Sequence, residues 1–265
     1  MPEDQMTART VVAERDGPVV TLLIDDPARR NPLSLATMDA LRTALEAARS
    51  GPSVRAVVIG ATGPVFSAGH DLRELAGADA AGHERIFAAC TALMMAVHRL
   101  PVPVVARVQG LATAAGCQLV AACDLAVAAE SARFATPGVR IGLFCSTPMV
   151  EVARAVGRAR ASLMLFTGDP IDAATAAEWG LVARVVPDAA LDAAAAALAA
   201  RVATAARATL ATGKRAVAEN LDLPLAEAYD HASGVMCAEA ATPDAREGIA
   251  AFLGKREPVW SDRTP

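Results

Sequence analysis

Two short stretches of this sequence place small residues at the opening of a helix. They are Phe66-Ser67-Ala68-Gly69-His70-Asp71-Leu72, and Ala114-Ala115-Gly116 ahead of Cys117-Gln118-Leu119-Val120. The first N–H groups of a helix have no intrahelical acceptor, and they favour negative charge. Two such turns converging on one point make an oxyanion hole, whose donors hold the oxygen of an enolate or a tetrahedral intermediate. Losing one donor typically costs about 3 to 4 kcal/mol of barrier. Taken singly, each stretch equally fits a tight turn beside a core helix.

Several side chains near these turns have chemistry of their own. His70 sits inside the first turn, where a neutral imidazole serves as acid or donor; packing in the pocket wall is the plainer alternative. Cys145 precedes Ser146-Thr147-Pro148, which reads as a helix start with Thr147 as cap and Pro148 in the first turn, a setting that lowers a thiol pKa. A buried inert cysteine is the commoner case. Arg140 follows Gly138 by two residues and, on an extended segment, faces the same side; it suits a substrate carboxylate or a surface ion pair. Asp71 is expected to cap the helix it opens, Asp124 to order a strand start and Glu151 to answer a helix dipole. The four histidines stand apart and no CxxC or HxxxH occurs, so no metal site is expected.

These residues need a frame. Residues 10–13 and 19–24 flank Asp16-Gly17, a pair suited to a type I′ hairpin turn. Leu35, Met38, Leu41 and Leu45 have helical spacing over residues 35–48. Residues 54–59 read as a buried strand, 60–69 as a small-residue loop and 83–99 as a helix. The alternation repeats with a strand at 103–108, a turn at 110–116, an apolar segment at 117–123, a strand at 124–129 and a loop with Pro137, Gly138 and Gly142. A recurring strand, glycine turn and helix suggests stacked β-β-α turns of a coil rather than a doubly wound sheet. Residues 188–255 read as alanine-rich helix broken at Thr212-Gly213, Pro224 and Pro243. Such thin apolar stripes bury little alone, so packing on a neighbouring copy is expected.

The bulk composition limits the rest. The chain has 265 residues, 54% of them apolar, enough for a substantial core without staples. A net charge of −4 with interspersed signs argues against nucleic acid as a partner. Five cysteines, mostly within apolar runs, fit a reducing compartment. The polar N-terminus lacks the features of a secretory signal, and the apolar run 108–123 is short of a membrane span, so no membrane contact and a cytoplasmic location are expected.

The segments FSAGHDL, VQGLATAAGCQLVAACDLAVA, FATPGVRIG, ARAVGRARASLMLFTGDPIDAATAAEWGLVARVV and EGIAAFLGKREP resemble the successive signatures of the enoyl-CoA hydratase/isomerase superfamily, the crotonases. The likeness runs from about Val11 to the C-terminus. It implies an α/β fold: a crotonase-type spiral of ββα units over residues 1–200, and a C-terminal helical trimerisation region over 201–265. It also implies acyl-CoA thioesters as substrates, coenzyme A entering only as part of the substrate with no permanently bound cofactor, and a homotrimer or a hexamer of two trimers. By the same resemblance the oxyanion donors are the N–H groups of His70 and Ala115, with Ala68, Gly69, Asp71, Leu72 and Gly116 around the thioester. Residues 29–31, including Arg29, lie about the adenine, and Lys255 reaches the CoA 3′-phosphate across the trimer.

One departure governs the expected chemistry. Hydratases of this superfamily use two glutamates to position and deprotonate water, and the matching positions here are Gln118 and Gly138. An amide holds water but does not take its proton at neutral pH, and glycine has no side chain. General acid-base help is worth typically ~10² to 10⁴ per group, so orthodox hydration is expected to be slow or absent. The blocks ATAAGCQLVA, FATPGV and GLFCSTP resemble one subgroup, the enoyl-CoA hydratase domain-containing protein 3 type, in which both losses occur together. FSAGHD also resembles methylmalonyl-CoA decarboxylases, which need no general base, although Phe144 and Cys145 stand where those place a tyrosine. The readings left open are an enolate-stabilising lyase or isomerase, a non-catalytic acyl-CoA-binding trimer, and a decarboxylase-like activity using His70.

Overall fold

The computed structural model describes residues 10–263. Strands β1 (Val11–Asp16) and β2 (Val19–Ile24) pair antiparallel from Val11 with Ile24 to Asp16 with Val19. This register makes Gly17-Pro18 the central pair of the turn, not Asp16-Gly17. A proline ring fixes φ negative, so Gly17 alone is left-handed (φ 54°) and the expected type I′ turn gives way to a type II′ pattern. Helix α1 (Leu35–Ser50) starts at Ser34, whose hydroxyl accepts from the Thr37 amide at 3.2 Å, and buries Met38, Leu41, Leu45 and Ala48. Strand β3 (Ala56–Ala61) takes in Gly60, so the loop expected from residue 60 begins two residues later. Then follow α2 (Leu72–Gly77), α3 (Ala80–Arg99), β4 (Val104–Val108), β5 (Leu111–Thr113), α4 (Ala115–Ala122), β6 (Leu125–Ala129) and β7 (Arg133–Ala135). Next come α5 (Ser146–Val156), α6 (Arg158–Thr167), β8 (Ile171–Asp172), α7 (Ala173–Trp179) and β9 (Arg184–Val186). Four helices end the chain: α8 (Leu191–Val202), α9 (Arg207–Asn220), α10 (Leu225–Ala240) and α11 (Pro243–Leu253).

The strands form two sheets. One has six strands in the order β1-β2-β3-β4-β6-β9, parallel from β2 onward; the other is β5-β7-β8. Single parallel bridges extend the smaller sheet, Ser67 to Ala112 and Leu33 to His70. Each turn of chain thus lays one strand in each sheet before its helix, the coil of ββα units that the alternation suggested. The large sheet is buried on both faces, and its parallel strands therefore read as unbroken apolar runs. Val57, Ile59, Val104, Ala106 and Val108 face the main core, while Ala56, Val58, Val105 and Val127 meet Leu191, Ala195 and Ala199 of α8.

The C-terminal helices break at Pro224 and Pro243 as expected, but not at the third place. Thr212-Gly213 lies inside α9, and the break falls instead between α8 and α9, where Ala203 and Ala206 are buried. Helix α9 is tied to the core by Lys214. Its Nζ lies 2.7 Å from Asp124 Oδ2 and donates to the carbonyls of Val97 and Val102 at 2.8 and 3.3 Å. Asp124 also accepts from the Val104 amide at 2.7 Å, which orders the start of β4. Helices α10 and α11 leave Leu225, Tyr229, Met236, Ile249, Phe252 and Leu253 exposed. Among the described residues no single helix is long and apolar enough to cross a membrane.

Candidate active site

The two small-residue turns lie on adjacent rungs of the smaller sheet, each where a strand segment runs into a helix. The Ser67 amide donates to the Leu111 carbonyl at 3.1 Å, and the Thr113 amide returns to Ser67 O at 3.0 Å. The turns then touch. A Cβ on Gly69 would lie 2.9 Å from Thr113 O and 3.2 Å from the Ala115 nitrogen, and one on Gly116 would lie 2.7 Å from Ser67 O. Only glycine lets the two backbones approach this closely.

Ala114 is the strained link. At φ 50°, ψ −119° it occupies a conformation that costs a residue with a Cβ of order 1 to 3 kcal/mol, and it is held at both ends. Its amide donates to Ala135 O at 2.9 Å, and its carbonyl accepts from the Gln118 amide at 3.0 Å. The twist turns the next amide, that of Ala115, out of the sheet. The amides of His70 and Ala115 have no backbone acceptor among the described residues. Ala68, by contrast, spends its amide on Arg30 O at 2.9 Å. That carbonyl is set by two successive left-handed residues, Arg30 and Asn31. Asn31 is fully buried; its Nδ2 donates to the carbonyls of Thr62 and Val65 at 2.8 and 2.7 Å, and its Oδ1 accepts from the Asp26 amide at 2.8 Å.

Buried polar atoms without a partner gather here, as at sites that await a ligand. Both ring nitrogens of His70 and the hydroxyls of Thr113 and Thr136 are among them. The His70 ring meets Phe87 of α3 edge-on, with centroids 5.5 Å apart. Burial, the larger influence, holds its pKa below the usual 6.5, while the Leu33 backbone facing the ring pulls the other way. The imidazole is therefore neutral at physiological pH. Gln118, almost fully buried in α4, points its Oε1 at Cys90 Sγ of α3, 3.7 Å away.

The place of the second family glutamate is closed. Gly138 lies in a 3-10 helix, Pro137–Ile141, and a Cβ there would be 1.9 Å from Leu143 O and 2.9 Å from Cys145 Sγ. The Leu143 amide returns to Gly138 O at 2.9 Å, fixing that carbonyl in place. Because this segment is 3-10 rather than extended, Arg140 does not share a side with Gly138. Its guanidinium pairs with Asp169 and donates to Thr167 O at 3.2 Å, so the ion-pair alternative holds. Cys145 is buried, and burial pushes its thiol pKa up, against a weaker pull from the Gly138 backbone. It is itself the N-cap of α5, with no side-chain cap, so the Thr147 cap is corrected, and the commoner reading of a buried, inert cysteine holds. Glu151 answers no helix dipole; it is buried and lies 3.0 Å from His98 Nε2 of α3.

Asp71 caps α2 through the Arg73 amide at 2.9 Å and pairs with Arg29 at 3.0 Å, while Arg29 also pairs with Asp26. Leu72 is exposed on the first turn of that helix. Lys255 is exposed beyond α11, and no ion pair or side-chain hydrogen bond among the described residues joins it to the turns. Sequence reasoning missed Phe87, Cys90 and the Leu143 carbonyl. The first two sit among the apolar residues of α3 and read as core, and the third is a backbone atom.

A model of the enoyl-CoA hydratase/isomerase family matches residues 14–263. The chain belongs to this family. It is 46% identical over 253 residues to the enoyl-CoA hydratase domain-containing protein 3, mitochondrial, of Rattus norvegicus, a match spanning 95% of this chain and 84% of that one. The crystal structure of the human enoyl-CoA hydratase domain-containing protein 3 superposes with a TM-score of 0.92 at 44% identity, over 95% of this chain and 100% of that one. An enoyl-CoA hydratase of Mycobacterium smegmatis superposes with a TM-score of 0.91 at 46% identity, over 95% and 98% of the two chains. The fold is thus the crotonase fold. The cytoplasmic expectation is overturned, since the rat relative is named as mitochondrial. Lack of a secretory signal and free cysteines do not distinguish the cytosol from a reducing organelle interior.

Proposed function

We propose that this chain is an acyl-CoA enzyme that holds a thioester carbonyl between the amides of His70 and Ala115, stabilises the enolate, and moves the α-proton on the His70 imidazole. Hydration of an enoyl thioester is not its reaction. The observation that carries this reading is the Leu143 carbonyl 1.9 Å from where a Gly138 Cβ would stand, together with an amide at 118. No carboxylate occupies either place, so no pair of acids can activate water. The neutral, unpartnered imidazole beside the turns is able to accept a proton, and the two amides offer the charge stabilisation an enolate needs.

The test is exchange of the α-protons of butyryl-CoA with deuterated water, followed by mass spectrometry, beside hydration of crotonyl-CoA. Exchange is expected in the unsubstituted protein. In His70→Phe, which keeps the backbone amide, exchange should fall by at least ~10² while butyryl-CoA still raises the melting temperature. Hydration at ordinary enzyme rates, about 1 to 10³ per second, would sink the proposal.

A second reading follows from the same missing carboxylates. A malonyl-type thioester forms the enolate by losing carbon dioxide, with the carbon–carbon bond supplying the electron pair and no base required. Carbon dioxide release from malonyl-CoA distinguishes it. The exposed apolar residues of α10 and α11 support assembly of identical chains, which sedimentation of the purified protein checks.

A further inference from the structure

We infer that the Cys90 thiol fixes the Gln118 amide with its N–H₂ end toward the acyl chain, so that the site selects thioesters with an oxygen acceptor at C3. The inference rests on the reading that the two turns hold a thioester carbonyl.

The argument starts from donors and acceptors. Cys90 is fully buried on α3, and its Sγ lies 3.7 Å from Gln118 Oε1. Burial pushes its pKa up to about 12, so it stays a thiol with one hydrogen to donate. An amide oxygen only accepts, and an amide nitrogen of this kind only donates. With the amide reversed, two N–H groups would face a weak sulfur acceptor and the S–H would face no acceptor at all. The thiol therefore sets the orientation, and Gln118 Nε2 is left without a partner among the described residues.

The geometry then places that donor. Gln118 follows Ala115 by three residues in α4, so the two share a helix face. Helical side chains lean toward the N-terminus, which brings the Gln118 amide over the first turn, where the Ala115 N–H emerges. Phe87 and Cys90 are likewise three apart and share one face of α3. Phe87 meets the His70 ring and Cys90 meets Gln118, so a single helix face backs both side chains that flank the turns. A carbonyl held at the two amides would extend C2 and then C3 along the helix face that Ala115 shares with Gln118, within reach of its amide nitrogen. A donor at that point is satisfied by a keto or carboxylate oxygen on C3 and left bare by a methylene. Leaving that donor bare once a bound acyl chain covers it should weaken binding roughly ten- to a hundredfold.

The test uses the full chain and titration calorimetry with butyryl-CoA, acetoacetyl-CoA and malonyl-CoA, with melting temperatures recorded for every variant. The unsubstituted protein is expected to bind acetoacetyl-CoA, malonyl-CoA or both at least ~10-fold tighter than butyryl-CoA. Cys90→Ser, which still donates, should keep that preference, and Cys90→Val should cut it to below roughly threefold while still melting cooperatively. Gln118→Leu should abolish the preference, and Gln118→Glu should repel malonyl-CoA in particular. A merely structural Cys90 would lower the melting temperature without changing the ratio of dissociation constants. Equal binding of butyryl-CoA in the unsubstituted protein, or an unchanged ratio in Cys90→Val, overturns the inference and leaves thioester binding standing. Failure of all three thioesters to bind overturns the thioester reading, and this inference with it.

Discussion

Gly138→Ala tests whether the vacated carboxylate position is closed by backbone. The new Cβ would fall 1.9 Å from Leu143 O, about 1.5 Å short of the 3.4 Å at which contact becomes ordinary. The obstacle is a main-chain carbonyl, so no rotamer change relieves it. Residues 143–145 must shift as a unit, breaking the 2.9 Å bond from the Leu143 amide to Gly138 O and pushing the buried Cys145. Overpacking of this kind costs typically about 1 to 3 kcal/mol, and the lost hydrogen bond about 1 more. The expected loss is about 2 to 4 kcal/mol, a fall in melting temperature of roughly 5 to 15 °C for a chain of this size. Urea unfolding followed by circular dichroism measures it. The double variant Gln118→Glu, Gly138→Glu should then hydrate crotonyl-CoA no faster than the unsubstituted protein, because the second carboxylate has no room to settle. A Gly138→Ala protein within about 0.5 kcal/mol of the parent would refute the reasoning, since it would mean that the 143–145 segment yields freely.

Three further outcomes are expected. The His70 imidazole is held below its usual pKa of 6.5, so below pH 6.5 the unfolded chain takes up the proton first. Stability should be complete above pH 6.5 and decline as pH falls toward the lowered folded value, and His70→Phe should flatten that decline in a pH series of melting temperatures. Asn31→Ala strands the Asp26 amide and the carbonyls of Thr62 and Val65, and should cost about 3 kcal/mol or more by urea titration, with weaker butyryl-CoA binding as the Arg30 carbonyl releases Ala68. Lys214→Met leaves Asp124 without its cation. Because Asp124 is 28% exposed, the expected cost is about 2 to 3 kcal/mol, below that of a fully buried pair, and protease nicking before α9 should accelerate.

The large sheet was legible because parallel strands buried on both faces have no polar residue to interrupt them, as in residues 56–61. Strand β5 was not, since its three residues lie among the small residues of a turn and owe their conformation to Ser67 and β7. Gly213 was read as a helix breaker on propensity alone, yet the ~1 kcal/mol it costs is small beside the tertiary contacts that hold α9. The true break before α9 contains no breaker at all. It is set by burial of Ala203 and Ala206 and by the Trp260 indole donating to Thr204 O at 2.7 Å, contacts that no local pattern encodes. At the site, the identities of Gln118 and Gly138 were plain in the sequence. The loss of acid-base help followed from them directly, but the Leu143 carbonyl at 138 and the Cys90 thiol against Gln118 did not, because both act across the fold. The plainer alternatives at Arg140 and Cys145, a surface ion pair and a buried thiol, are the ones the fold realises, because residues 137–141 form a 3-10 turn and Cys145 itself, not Thr147, caps α5.

The two halves of the site differ in what holds them. The amides of His70 and Ala115 are aimed by sheet pairing, by the contact of Gly69 with Gly116's turn, and by the pinned strain at Ala114. Each of these involves main-chain atoms of several elements, so most single substitutions leave the donors in place. An acid-base group depends on one side chain and on room for it, and both are lost by one change followed by settling of a loop. At 138 there is no such room: the Leu143 carbonyl stands where a Cβ would lie, and the Leu143 amide holds Gly138 O. In the proposed reading, oxyanion stabilisation rests on these main-chain atoms, and the reaction is set by the proton carrier beside them. In the proposed reading that carrier is the His70 imidazole, buried with both nitrogens unpaired.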